Sequence, residues 1–202
     1  MKKIFTLLMI LITTASCKEN VILDANGNPI TGGKTYLIKS GCHYSSPGCK
    51  IAGNFSFAKR KQKAWQVNFF ENTIYQSVKP ENQGDINKLV GFTDCGIFTG
   101  NHNNSARFGW SWDLNNKKMK IYAYTYVNKE RQFSYITSIP TKTVATLSLS
   151  LSGANYTFQV NDVTVKMPRG CNSTTANGWA QFPYFGGDET APNDMNIWLK
   201  EI

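Results

Sequence analysis

The chain has 202 residues, 41% of them hydrophobic and 17% charged, with a formal net charge of +9. That balance excludes a disordered chain, which needs low hydrophobicity and high charge density, and the length excludes a many-domain assembly. A content of 13% Phe, Trp and Tyr, joined to abundant Asn, Thr, Ser and Gly, favours pleated sheet over a helical bundle, because aromatic and β-branched side chains pack well on half-buried sheet faces.

Lys2 and Lys3 precede an apolar run from Ile4 to Ile12, and Thr13, Thr14, Ala15 and Ser16 lead to Cys17. A positive start, a short greasy middle and small residues before a cleavage point are the layout of a secretory signal, and the run is too short to span a bilayer. Thr14-Ala15-Ser16-Cys17 resembles a bacterial lipobox, in which the Cys is acylated and becomes the mature N-terminus. With Lys18 after it, the resemblance implies a lipid anchor at Cys17 in the outer membrane of a gram-negative cell, facing the periplasm or the cell surface. The expected division is a signal peptide over 1–16, an anchored N-terminal segment over 17–63 and a sandwich domain over 64–202. The mature chain stays basic, and at such a membrane the expected counter-charge is an acidic glycan or lipopolysaccharide rather than nucleic acid. No cofactor is expected.

Four cysteines follow Cys17: Cys42, Cys49, Cys95 and Cys171. An even number in an oxidising compartment predicts two disulfides with three connectivities to choose from. The short Pro47-Gly48 loop favours Cys42 with Cys49, leaving Cys95 with Cys171; the spacing does not suit a zinc site built from two close Cys pairs.

Residues 21–30 and 32–38 read as two short strands around Gly, Asn and Pro turns, a hairpin ahead of the main domain. Asp24, Gly27, Ile30, Tyr36 and Ile38 also resemble the opening signature of plant Kunitz-type inhibitors, but the remainder lacks the threefold repetition of a β-trefoil. Lys59-Arg60-Lys61-Gln62-Lys63 reads as a solvated linker. Nine strands are then predicted: 65–70, 106–113, 119–127, 132–139, 144–151, 156–160, 163–167, 179–184 and 195–200. Short strands at turn-rich spacing argue for an all-β sandwich or barrel, and the fold expected is an antiparallel two-sheet sandwich.

The segments Asp85-Ile86-Asn87-Lys88-Leu89, Asn104-Ser105-Ala106-Arg107-Phe108-Gly109-Trp110 and Pro183-Tyr184-Phe185-Gly186-Gly187 resemble a family of small secreted or lipoprotein β-sandwiches of unknown function. The resemblance implies a jelly roll and carries no activity with it.

The hairpin over 106–127 is the most informative element. A turn at Asn115-Asn116 pairs Asp113 with Lys118, Ser111 with Lys120, Gly109 with Tyr122 and Arg107 with Tyr124. One face then holds Phe108, Trp110, Trp112, Met119, Ile121 and Ala123, an apolar set expected to form core. The other carries Arg107, Lys120, Tyr122, Tyr124 and Tyr126, an expected ligand surface for an acidic polysaccharide: rings stack on sugars, and a guanidinium fork grips carboxylate or sulfate. On this reading Tyr124 points outward and is dispensable for folding, and the alternative is a structural or adhesive surface module. A polysaccharide lyase is the catalytic alternative, with Tyr124, Arg107 and His102 to supply a base and a carboxylate-neutralising group. His43 and His102 otherwise read as surface residues. No paired carboxylates of the β-glycanase kind are apparent. Asp188, Glu189 and Asp194 form an oxygen-rich loop that could attract calcium, for which the spacing of an EF-hand is missing.

Overall fold

The structure, a computed structural model, describes residues 21–24, 26–50, 57–96 and 102–202, with only the backbone described for 57–59. Cys17 and the leader lie outside the described residues. The strands are β1 (Lys34–Ile38), β2 (Phe57–Arg60), β3 (Gln62–Phe69), β4 (Asn87–Thr93), β5 (Ser105–Asp113), β6 (Lys118–Val127), β7 (Glu130–Ile139), β8 (Ala145–Ser152), β9 (Asn155–Val160), β10 (Val163–Pro168), β11 (Ala176–Gln181) and β12 (Met195–Glu201). They form two six-stranded sheets, β1-β12-β3-β8-β9-β10 and β2-β11-β4-β5-β6-β7. Every pairing between them is antiparallel. This is the expected all-β jelly-roll sandwich.

Alternation builds it. Phe69, Val67 and Trp65 on β3 and Leu147 and Leu149 on β8 meet Phe108, Trp110, Met119 and Ile121 of the second sheet in one core. Trp110, with no exposed surface, touches Phe69, Tyr75 and Phe185.

All nine predicted strands overlap observed ones, although 179–184 is displaced: β11 ends at Gln181, before Pro183. β1 falls within the strand expected over 32–38, the described residues of 21–30 form only the bridge between Leu23 and Pro29, and two further strands appear, β2 and β4. The described parts of 17–63 join the sandwich rather than precede it, because β1 pairs along β12 and β2 along β11, and the expected boundary at 63 falls inside β3. Arg60, read as part of a solvated run, is 4% exposed and donates to the Gly178 carbonyl. β4 escapes the alternation rule because a bulge between Lys88 and Gly91 buries Leu89 and Val90 in succession.

Disulfides join Cys42 to Cys49 and Cys95 to Cys171, the favoured pairing. The second bridge ties the end of β4 to the chain just after β10, hence one sheet to the other. Beside it Arg169 donates to Asp94 at 2.6 Å, both side chains having no exposed surface, and the Tyr156 hydroxyl donates to the same carboxylate at 2.8 Å.

Candidate binding site

The outer face of the second sheet is built by register. The β5–β6 pairing is the expected one, Arg107 opposite Tyr124, Gly109 opposite Tyr122 and Ser111 opposite Lys120. The turn holds it: the Asp113 carboxylate accepts from the backbone of Asn115 and Asn116 and from the Asn116 side chain, and pairs with Lys120 at 2.9 Å. The bond from Asn116, then Lys120, holds that carboxyl well below the usual range. On the far side β7 sets Tyr135 opposite Tyr122 and Phe133 opposite Tyr124.

On the near side the sheet is extended beyond β4 by single bridges, Lys88 to Tyr184 and Tyr184 to Tyr44. Directly paired residues share a face, so Tyr44, Tyr184, Lys88, Tyr122 and Tyr135 lie across one row. The motif Pro183-Tyr184-Phe185-Gly186-Gly187 makes this possible. Phe185 turns into the core while Tyr184 faces outward, and Gly186 leaves room for lysine, since a Cβ there would lie 2.5 Å from Lys88 Nζ. Gly91 allows the same closeness between strands: its Cβ would meet the Ala106 carbonyl oxygen at 2.1 Å.

Arg107 and Tyr124 form the floor. The guanidinium lies 5.6 Å from the centre of the Tyr124 ring, and Lys88 Nζ is 5.1 Å from the same ring and 5.8 Å from that of Tyr184. The sequence reading left Tyr124 open to solvent; instead it is 2% exposed, beneath these two cations and Tyr126. Arg107 is 4% exposed, and its Nε and Nη2 have no hydrogen-bond partner. Among the described residues neither Arg107 nor Lys88 forms an ion pair.

Electrostatics follow from that crowding. Burial, then the neighbouring Arg107 and Arg131, pushes the Lys88 ammonium down to about 8. Burial lowers Arg107 to about 10, against the phenols of Tyr124, Tyr126 and Tyr184, so it stays charged at neutral pH. Burial raises Tyr124 to about 12.

Both histidines sit at the margins of this face rather than in unrelated loops. His43 stacks on Tyr184 at 5.3 Å, with its Nδ1 2.7 Å from the Phe185 carbonyl, and His102 stacks on Tyr126 at 4.8 Å. The expected residues Arg107, Tyr122, Tyr124 and Tyr126 are brought together, with Lys120 at one end held by Asp113. Lys88, Tyr184, His43, Arg131, Phe133 and Tyr135 were not anticipated there. Lys88 and Tyr184 stood inside the quoted family segments, which was the available signal; the alternation of β7 could have supplied Phe133 and Tyr135.

The calcium reading does not survive. Glu189 instead clamps a loop, accepting from the backbone of Val78 and Lys79 at 2.8 Å each and from Asn82 at 2.9 Å, while Asp194 accepts from Ser40 at 2.9 Å and Asp188 is exposed. Among the described residues the one cluster with metal-ligand spacing is Asp94, Cys95 and Cys171, whose sulfurs are already joined.

No protein-family model and no curated protein matches the chain. Solved structures do. The alginate lyase AlyC3 aligns with a TM-score of 0.52 at 9% identity, over 83% of this chain and 74% of its own. A family 7 alginate lyase in complex with product gives 0.51 at 7% identity, over 89% and 90%. A glycoside hydrolase family 16 endo-glucanase from Bacteroides ovatus gives 0.51 at 13% identity, over 89% and 87%. The likeness is one of fold, a two-sheet jelly roll.

Proposed function

We propose that the outer face of the second sheet binds an acidic carbohydrate, with Arg107 and Lys88 as the anion-binding pair. The observation that carries this is the buried Arg107 guanidinium with two nitrogens unpaired. A buried charge without a partner is costly unless a ligand supplies one, and a planar fork suits a carboxylate or sulfate. Tyr122, Tyr126 and Tyr184 around it offer rings and hydroxyls to sugar. The outer face of the first sheet carries Thr146, Ser148, Thr157 and Gln159 instead. That alginate lyases and an endo-glucanase share the fold agrees with this reading. Isothermal titration against polygalacturonate, alginate, hyaluronate and chondroitin sulfate tests it: the native protein binds at least one, Arg107→Met binds none, and added salt weakens the interaction. Binding by Arg107→Met equal to native overturns it.

The chain is proposed to sit at the outer membrane through a lipid on Cys17, on the strength of the lipobox resemblance and the two disulfides of an oxidising compartment. Cys17→Ala then releases a soluble or unprocessed form; unchanged membrane partition rejects the anchor.

One arrangement favours a second, catalytic reading. Tyr124, Tyr184, Lys88 and His102 surround or flank the guanidinium that would neutralise a uronate carboxylate, so a base could take the proton on the carbon next to the carboxyl. The adjacent C–O bond then breaks, the leaving oxygen takes up a proton, and a double bond remains. New ultraviolet absorbance on incubation with the same uronate polymers identifies that activity, and binding without it leaves a carbohydrate-binding protein.

A further inference from the structure

Phe133 and Tyr135 are 53% and 51% exposed, and they are the two aromatic side chains among the large hydrophobics that stand open to solvent in the described residues. They lie two residues apart on β7, on the face that carries Arg107, and each meets the Tyr122 ring between them, at 6.5 and 6.0 Å. Contiguous open apolar surface on a folded protein marks an interaction site. Tyr135 is positioned beforehand by a 3.0 Å hydrogen bond between its hydroxyl and Ser138 Oγ, and Arg131 lies 5.9 Å from the Phe133 ring.

We infer that Phe133 and Tyr135 form a sugar-stacking subsite for the next residues of the acidic saccharide whose charged group Arg107 holds, so that the glycan chain crosses the strands from β5 to β7. The inference rests on the binding reading above and adds the ligand's path and minimum length. Register sets the path: Arg107, Tyr124 and Phe133 are directly paired in sequence across three strands. Adjacent strands lie about 4.8 Å apart, which separates the Arg107 and Phe133 backbones by about 10 Å, roughly the length of a disaccharide. Charge selects the occupant. Arg131 and Lys120 flank the platform and Asp113 is already paired with Lys120, so an acidic chain is attracted and a second copy of this basic face is repelled.

The test uses the native full chain, Arg107→Met and the double variant Phe133→Ala/Tyr135→Ala, each titrated with monomers, dimers and tetramers of galacturonate, mannuronate and guluronate and with hyaluronate and chondroitin sulfate oligomers. Native affinity rises with length beyond the dimer. The double variant loses about tenfold in affinity for the tetramer and keeps the native response to the monomer, the size expected from lost ring stacking. Arg107→Met loses binding at every length. A double variant with native affinity for the tetramer overturns the platform while leaving the Arg107 site standing; no binding by the native chain to any probe overturns both. Light scattering supplies the remaining outcome: a native dimer that the double variant converts to monomer makes the platform a contact between copies and also overturns the inference.

Discussion

Arg107 is a residue whose value to folding and to binding point in opposite directions. Its side chain is removed from water without a carboxylate to receive it, and replacing such a charge by an apolar group of similar volume is neutral or stabilising. Arg107→Met is therefore expected to melt at or above the native temperature while losing the acidic ligand, a combination that thermal denaturation and titration together read. Lys88 makes a second prediction, through pH. It is faced by Arg107, Arg131, Asp85 and the rings of Tyr124 and Tyr184, and its folded value of about 8 lies below the ordinary 10.5. Between those values the unfolded chain binds the proton more tightly, so the stability of the free protein rises with pH across the window. Affinity for an anion moves the other way, falling as Lys88 discharges through pH 8. Titration calorimetry at pH 7 and pH 9 checks the affinity and denaturant melts check the stability; parallel movement of the two shows that Lys88 is not in the site. Tyr124, seated as it is, belongs to the floor, so Tyr124→Ala is expected to lower stability as well as binding.

The hairpin of β5 and β6 shows what a sequence of this kind discloses. Its register follows from one constraint, that a single set of Phe108, Trp110, Trp112, Met119, Ile121 and Ala123 must share a face, and all six are buried. Trp110→Ala is expected to cost about 3 to 5 kcal/mol in a denaturant melt, as for a large aromatic taken from a packed core. The opposite face was legible in composition but not in depth. Alternation says that Arg107 and Tyr124 point away from the core; it does not say that Lys88, Tyr184 and the His43 segment will be laid alongside them, because single bridges between distant residues leave no periodic trace. β4 was hidden by its bulge, and β2 by a run of cations in which Arg60 turns inward. What is read from pattern is regular; the site lies where two irregular segments join the sheet.

At the scale of the whole sandwich, the Asp94–Arg169 pair and the Cys95–Cys171 bridge fasten the two sheets at the same end. Asp94→Ala leaves a buried guanidinium facing carbonyl oxygens of Gly153, Ser173 and Thr175, and is expected to cost about 3 to 5 kcal/mol. The disulfide closes a separation of 76 residues, and its removal is worth about 4 kcal/mol. Because the two ties share neighbours, the double variant is expected to lose less than the two losses added together, which a double-mutant cycle of melts measures. The strand order carries one more consequence. The last strand, β12, lies between β1 and β3, so the earliest strand of the sandwich has its partner only when the final residues arrive. A chain emerging N-terminus first holds β1 and one edge of β3 unpaired until β12 has emerged as well. Closure of that edge of the sheet is thus timed by β12, which lies far along the chain from the strand it completes.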